Sequence, residues 1–267
     1  MVTQTRFVRV GKLGLAGLLF AGSAAVAPTA MAEIIGPGLT VYAFDSLGNM
    51  ASAEISGAWS SDGQTFNWSS TSTIELWDQD TDTLLGCMNP LDANGNPTFS
   101  AFQYVQDPVV NLNFAVQAGS ADTTFVIASS MLSFPTINSA QAAASAGFSV
   151  TDFNGNGASL TGLVGTGSSF GYLAQYNGFA FTQSGTTFAE VLPAVAAGAF
   201  GTNTVSSNVP GAGFSNIGTV SDMSSLISFR LSRFDLASGT TSFVITPEPA
   251  SIALLGLGAL AMLRRRA

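Results

Sequence analysis

From Leu39 onward, apolar and polar residues alternate along the chain with a period of two rather than 3.6. Val110, Leu112, Phe114 and Val116 interleave with Asn111, Asn113, Ala115 and Gln117. Ala51, Ala53, Ile55 and Trp59 stand among Ser52, Glu54 and Ser56, and Ile227, Phe229 and Leu231 alternate with Ser228, Arg230 and Ser232. One apolar and one polar face per segment predicts antiparallel strands, packed on one side and hydrated on the other. Turn-forming clusters punctuate these segments: Ser46 to Asn49, Ser60 to Gly63, Asp92 to Pro97, Asn154 to Gly157, and Val209-Pro210-Gly211. Their spacing predicts an all-β fold, an antiparallel β-sandwich-like domain of many short strands. One helix is expected, capped by Ser139, running over Ala140 to Ala146 and ended by Gly147. No internal repeat or long linker is evident, so residues 33–246 read as one exported β-rich domain; a split near residues 140–155 is the alternative.

The two ends follow different rules. Arg6, Arg9 and Lys12 precede an apolar run from Leu13 to Val26, and Ala30-Met31-Ala32 fits an A-x-A cleavage site before Glu33. Residues 1–32 therefore read as a secretory signal peptide, with Ala30 and Ala32 as the signal peptidase site. At the other end, Pro247-Glu248-Pro249 is followed by an apolar stretch from Ile252 to Leu263 and then by Arg264, Arg265 and Arg266. Proline removes a backbone donor and fixes φ, so the Pro-Glu-Pro unit is expected to stay extended and accessible. The apolar stretch can enter a bilayer as a hydrophobic helix, with the three arginines held on the cytoplasmic side. At 1.5 Å rise per residue, about fourteen apolar residues reach roughly 21 Å, which is short for a lasting span.

This tripartite tail closely resembles the PEP-CTERM sorting signal of exosortase-processed bacterial surface proteins. The resemblance covers residues 247–267 only. It implies that Pro247, Glu248 and Pro249 are read by the sorting enzyme and that the helix is a transient inner-membrane anchor. The family often has valine before the motif, where this chain has Thr246. The implied partners are exosortase and signal peptidase, and the implied destination is the cell surface or the medium. The family's association with exopolysaccharide producers further implies a place in matrix, biofilm or floc.

Charge narrows the choice of partner. Between residues 33 and 246 only Arg230 and Arg233 stand against fifteen acids, a formal charge of −13. Nucleic acid is bound mainly through Lys and Arg, so no nucleic-acid partner is expected. The chain has no histidine, and its one lysine lies in the leader. That removes Ser-His-Asp and Cys-His catalysis, Ser-Lys dyads, Schiff-base lysines and histidine-bound zinc. Carboxylate chemistry survives, since a glycosidase needs two acids and Glu54, Glu75, Asp78 and Asp80 are available. Nothing marks any pair as facing one cleft, and the expectation is a protein that is not an enzyme. Cys87 is alone, so no intramolecular disulfide can form.

Two further patterns suggest ligands. Asp78, Asp80 and Asp82 place carboxylates at alternate positions. Asp152, Asn154 and Asn156, followed by Gly157, match the first half of an EF-hand loop, although its twelfth position is Leu163 rather than glutamate. Either set could hold Ca²⁺, and either could be a solvated turn whose Asp and Asn bond their own backbone. Trp59, Trp68 and Trp77 recur every nine residues; they are either core residues or a platform for sugar rings. The reading of the body is a non-enzymatic surface or matrix protein, with a calcium-stabilised carbohydrate-binding module as the alternative.

Overall fold

The structure, a computed structural model, describes residues 32–248. The expected signal peptidase residue Ala30, the third motif residue Pro249, the apolar stretch expected to be a helix and the arginines 264–266 lie outside the described residues. Sixteen strands join into one antiparallel sheet. They are β1 (Glu33–Phe44), β2 (Met50–Ser56), β3 (Ala58–Trp59), β4 (Thr65–Ser70), β5 (Ile74–Asp78), β6 (Thr83–Met88), β7 (Ser100–Val105) and β8 (Val109–Ala118). There follow β9 (Thr123–Thr151), β10 (Ala158–Gly162), β11 (Tyr172–Tyr176), β12 (Thr186–Val191), β13 (Ala194–Ala197), β14 (Thr202–Val209), β15 (Ser215–Leu231) and β16 (Leu236–Pro247). The principal path runs β12-β11-β15-β9-β16-β8-β7-β4-β3. Each turn cluster picked out in the sequence falls between two of these strands, except that the last begins at Val209, the final residue of β14.

The sheet folds over on itself. Phe188 of β12 stacks on Phe243 of β16 with ring centroids 5.5 Å apart, although β11, β15 and β9 separate their strands along the sheet. Phe114 of β8 likewise meets Phe229 of β15 at 5.6 Å. Phe148 joins them, edge-on to Phe114 at 5.4 Å. The inward faces thus interdigitate as in a sandwich, with the phenylalanines supplying the core.

The 29-residue β9 organises the whole. One of its edges pairs with β1 over Thr124–Ser133 and then with β16 over Ala140–Thr151. The other pairs with β15 and then β14. Buried positions on β9 change parity along its length, from Phe125 and Ile127 to Leu132, Phe134 and the even-numbered residues beyond. The switch coincides with irregular register on both flanks, between Ile35 and Leu39 on β1 and between Met223 and Leu226 on β15. An extra residue in a strand exchanges its faces, which lets one strand serve both layers. Serine hydroxyls close the backbone gaps left there. Ser130 Oγ accepts the Gly38 amide at 2.9 Å and Ser129 Oγ accepts the Ser225 amide at 2.7 Å. The Tyr104 hydroxyl accepts the Ser130 amide at 3.1 Å and donates to the Gly38 carbonyl.

The expected helix over Ala140 to Ala146 is not formed. Those residues are β9, paired with β16 throughout. Ala140, Ala142, Ala144 and Ala146 are buried, while Gln141, Ala143 and Ser145 are half-exposed. Alanine's helix preference is a few tenths of a kcal/mol per residue over most types, and cross-strand packing on both edges overrides it.

Candidate functional site

The sorting motif grows directly out of the last core strand. Thr246 pairs with Gln141 and Pro247 with Ala140, so the first motif proline is a strand residue. Pro247 is exposed and extended, as its ring demands, and Glu248 is half-buried. The Glu248 amide donates to the Ser139 carbonyl at 3.2 Å. On the same edge of β9, Glu33 pairs with Ser133. Both ends of the exported body therefore meet one strand, separated by the stretch from Phe134 to Ser139. Ala32, the last residue before the expected leader cleavage, is itself buried.

The two acidic turns are closed by their own backbone. Asp78 is 8% exposed. Its Oδ1 accepts the amides of Asp80 and Thr81 at 2.9 and 2.8 Å, and its Oδ2 accepts Met50 at 2.8 Å. The Met50 bond leads the effects that hold its carboxyl below the ordinary aspartate range. Asp152 is 3% exposed and accepts four amides. Asn154 and Gly155 bond its Oδ1 at 3.2 and 3.1 Å, and Gly157 and Phe200 bond its Oδ2 at 3.1 and 2.7 Å. Burial works to raise this carboxyl, but the four donors overcome it and hold it low. Asn154 Oδ1 accepts the Asn156 amide, and its Nδ2 donates to the Arg233 carbonyl. Calcium needs six to eight oxygens converging on one point, whereas these oxygens are directed at N–H groups. Among the described residues, no three His, Cys, Asp or Glu side chains gather where a metal could sit. The residues do not fit a calcium ion.

The three tryptophans take separate places. Trp59 of β3 packs against Phe66 at 5.4 Å. Trp68 of β4 points inward and stacks on Phe102 at 6.0 Å. Trp77 of β5 lies on another hairpin, where its Nε1 donates to Glu75 at 2.9 Å. Each ring has a different partner, and they do not assemble into one platform.

A broader surface emerges from the registers. Asn67, Gln103, Asn111, Ser242, Ser145 and Asn208 form one row across β4, β7, β8, β16, β9 and β14. The neighbouring row reads Ser69, Ala101, Asn113, Thr240, Gly147 and Ser206. Further along, Ser238, Ser149 and Thr204 continue it, followed by Thr151 and Thr202. Every solvent-side residue of these six strands is uncharged. Two adjoining depressions of about 420 and 470 Å³ lie on this face and share Asn113 and Thr240. The second is rimmed by Asp92, Thr98 and Phe99, and Phe99 is 52% exposed. Among these six strands, period-two alternation marked the polar side of β8 alone. Which strands set their polar sides next to it depended on long-range register that no local pattern carries.

No curated protein matches the chain. Among solved structures, a carbohydrate-binding module from Cellvibrio mixtus lichenase 5A, in complex with cellotriose, is 8% identical; the match covers 65% of this chain and 96% of that one, at a TM-score of 0.22. The adhesin domain of Epf from Streptococcus pyogenes is 9% identical over 68% of this chain and 57% of that one, at a TM-score of 0.22. An arabinose-bound α-L-arabinofuranosidase is 10% identical over 67% of this chain and 23% of that one, at 0.20. Likenesses this distant carry no argument about fold or function. The C-terminal end is different in kind: residues 246–267 match the PEP-CTERM protein-sorting motif. The chain carries that motif, the signal of an exosortase-sorted, exported cell-surface protein.

Proposed function

We propose that this protein is a non-enzymatic structural component of the cell surface or extracellular matrix, held among exopolysaccharide after exosortase processing. The observation that carries the reading is the junction at Pro247, where the sorting motif continues the last strand of an all-β body. Such a body reaches the surface as one folded unit. Its acidity disfavours nucleic acid and anionic lipid. The buried carboxylates Asp78 and Asp152 are occupied by backbone amides rather than aimed at a cleft, which supports a role without catalysis. Signal peptidase and exosortase act on the chain during export, with membrane insertion through the C-terminal segment as the intermediate between them.

Intact-mass analysis of the protein recovered from its native host tests the reading, combined with fractionation of cells, matrix and medium. A chain beginning at Glu33, ending near Pro247 and enriched with the polysaccharide fraction is the expected result. A chain still carrying Arg264 to Ala267, or one spread evenly between fractions, would remove its support.

A second reading, a carbohydrate-binding module, is favoured by the uncharged six-strand face with its two depressions. It differs from the first in requiring specific affinity for a glycan rather than incorporation alone.

A further inference from the structure

The hydrated face of β4, β7, β8, β16, β9 and β14 stands out against the charge of the whole. A body with fifteen acids and two arginines between residues 33 and 246 presents here six strands without a charged side chain, their outward rows made mostly of hydroxyls and amides with Ala101 and Gly147 among them. Within the first depression only Asn111 and Gln103 bond to each other, Nδ2 to Oε1 at 3.2 Å. Among the described residues, the side chains of Asn67, Asn113, Thr240 and Ser242 have no hydrogen-bond partner, so their donors and acceptors are turned to solvent. The second depression adds Phe99, an exposed ring at the rim.

We infer that this face is a binding surface for a neutral polysaccharide chain, seated along the two depressions that meet at Asn113 and Thr240. Six strands at ~4.8 Å spacing make a track of about 25 Å, long enough for several sugar units. Neutral polysaccharides offer closely spaced hydroxyls that give and accept hydrogen bonds, and asparagine amides do the same in return. The C–H faces of a sugar ring are apolar and pack on an aromatic side chain such as Phe99. An anionic glycan would be repelled by the surrounding acids and would find no cation on the face. A second copy of this chain suits the face less well, since two uncharged faces brought together form no ion pair to fix their register. The inference rests on the carbohydrate-binding reading and assigns it a place that takes in Trp68, which lines the first depression, but neither Trp59 nor Trp77.

Affinity electrophoresis of the protein recovered from its host, in gels containing hydroxyethylcellulose, laminarin, dextran, galactomannan or alginate, tests it. Retardation in at least one neutral gel is expected, with none in alginate. The double variant Asn113→Asp/Thr240→Asp places carboxylates where the depressions meet, and is expected to weaken retardation at least tenfold. Phe99→Ala should weaken it severalfold, and Ser61→Asp, on an exposed turn elsewhere, should leave it unchanged. Circular dichroism of each variant separates lost binding from lost folding. Migration unaffected by all four neutral polysaccharides, or retardation that survives the double variant, would overturn the inference. So would sedimentation velocity showing a dimer that the double variant abolishes. Failure in the gels leaves matrix fractionation unaffected, and so is distinct from failure of the matrix reading.

Discussion

The backbone amide of Glu248 donates to the carbonyl of Ser139 at 3.2 Å, so the sorting motif begins as part of the folded sheet rather than after it. With Pro247 paired to Ala140, the sorting enzyme meets a motif whose first residues are held against β9. An extended substrate cannot enter an active site while its own edge is paired, so processing requires the end of β16 to lift. One such backbone bond is worth about 1 kcal/mol net, or roughly fivefold in the population of lifted ends. A Gly-Ser-Gly-Ser spacer inserted between Thr246 and Pro247 is therefore expected to speed conversion of precursor to mature protein, followed by pulse-chase labelling. An unchanged rate would show that pairing does not limit access.

The carboxyls of Asp152 and Asp235 lean in opposite directions. Asp235 is fully buried and is raised above the ordinary aspartate range, chiefly by desolvation and also by the charge of Asp152. Asp152 is held low by its four amide donors. By linkage, Asp152 adds stability above the unfolded value of about 3.9, and that stability is lost as pH falls through its lower folded value. Asp235 acts the other way, costing stability as pH rises past the unfolded value and through the raised folded one. Asp235→Asn keeps an oxygen for the Phe153 amide that Oδ1 accepts at 3.3 Å and removes the buried charge. Its Tm is expected to exceed that of the native chain at pH 7, and the two should converge near pH 3. Asp152→Asn turns an amide donor toward donors and should lower Tm at pH 7. A D235N variant less stable at neutral pH would refute the assignment.

How much of this was legible in the sequence varied with the range of the interaction. Val110 to Val116 announced β8 because each strand residue reports its own face, and the turn clusters reported themselves through Gly, Pro, Asn and Asp. The tail was legible because its three parts are contiguous. Ala140 to Ala146 misled because alanine has a strong local preference and almost no side chain with which to reveal a face. Asp78 and Asp152 looked like cation ligands because a calcium loop and an Asx turn use the same residues; the amides of Met50 and Phe200, which complete the two carboxylates, come from far along the chain. The uncharged face was invisible for the same reason, being assembled from six strands drawn from residues 65–246.

Gly239 makes room for the aromatic core. A Cβ there would stand 2.6 Å from Phe148 Cδ1, 2.7 Å from the Gly147 carbonyl oxygen and 2.8 Å from Phe114 Cε1. The two rings and a neighbouring strand's backbone leave nowhere for a methyl group to go. Gly239→Ala is expected to cost about 1–3 kcal/mol by overpacking, or roughly 2–12 °C in Tm for a domain of this size. Phe148→Ala removes the same contact from the other side, leaves a cavity and should cost about 3–5 kcal/mol. Denaturant melts with unchanged m-values would check both figures.

Cys87 is a poor candidate for cross-linking between chains. Burial, followed by the nearby Glu75 carboxylate, pushes its thiol up to about 11, and only the thiolate reacts. Native protein at pH 8 should take up iodoacetamide far more slowly than protein unfolded in guanidinium. Equal rates would mean that the β5–β6 hairpin opens readily.

Ser129 and Ser130 serve opposite flanks of β9, which makes their roles separable. Ser130 Oγ accepts the Gly38 amide from β1, and Ser129 Oγ accepts the Ser225 amide from β15. Each amide sits at an irregular register where the ladder offers no carbonyl. Ser130→Ala leaves the Gly38 N–H buried without a partner, and Ser129→Ala does the same to Ser225, at about 1–3 kcal/mol each. The stability loss alone would not tell one flank from the other. Amide exchange does: Gly38 should exchange faster in S130A and Ser225 faster in S129A, each with little effect on the other. Acceleration of both amides in either variant would mean that the bulges open together, and that the change of face along β9 is one cooperative feature rather than two.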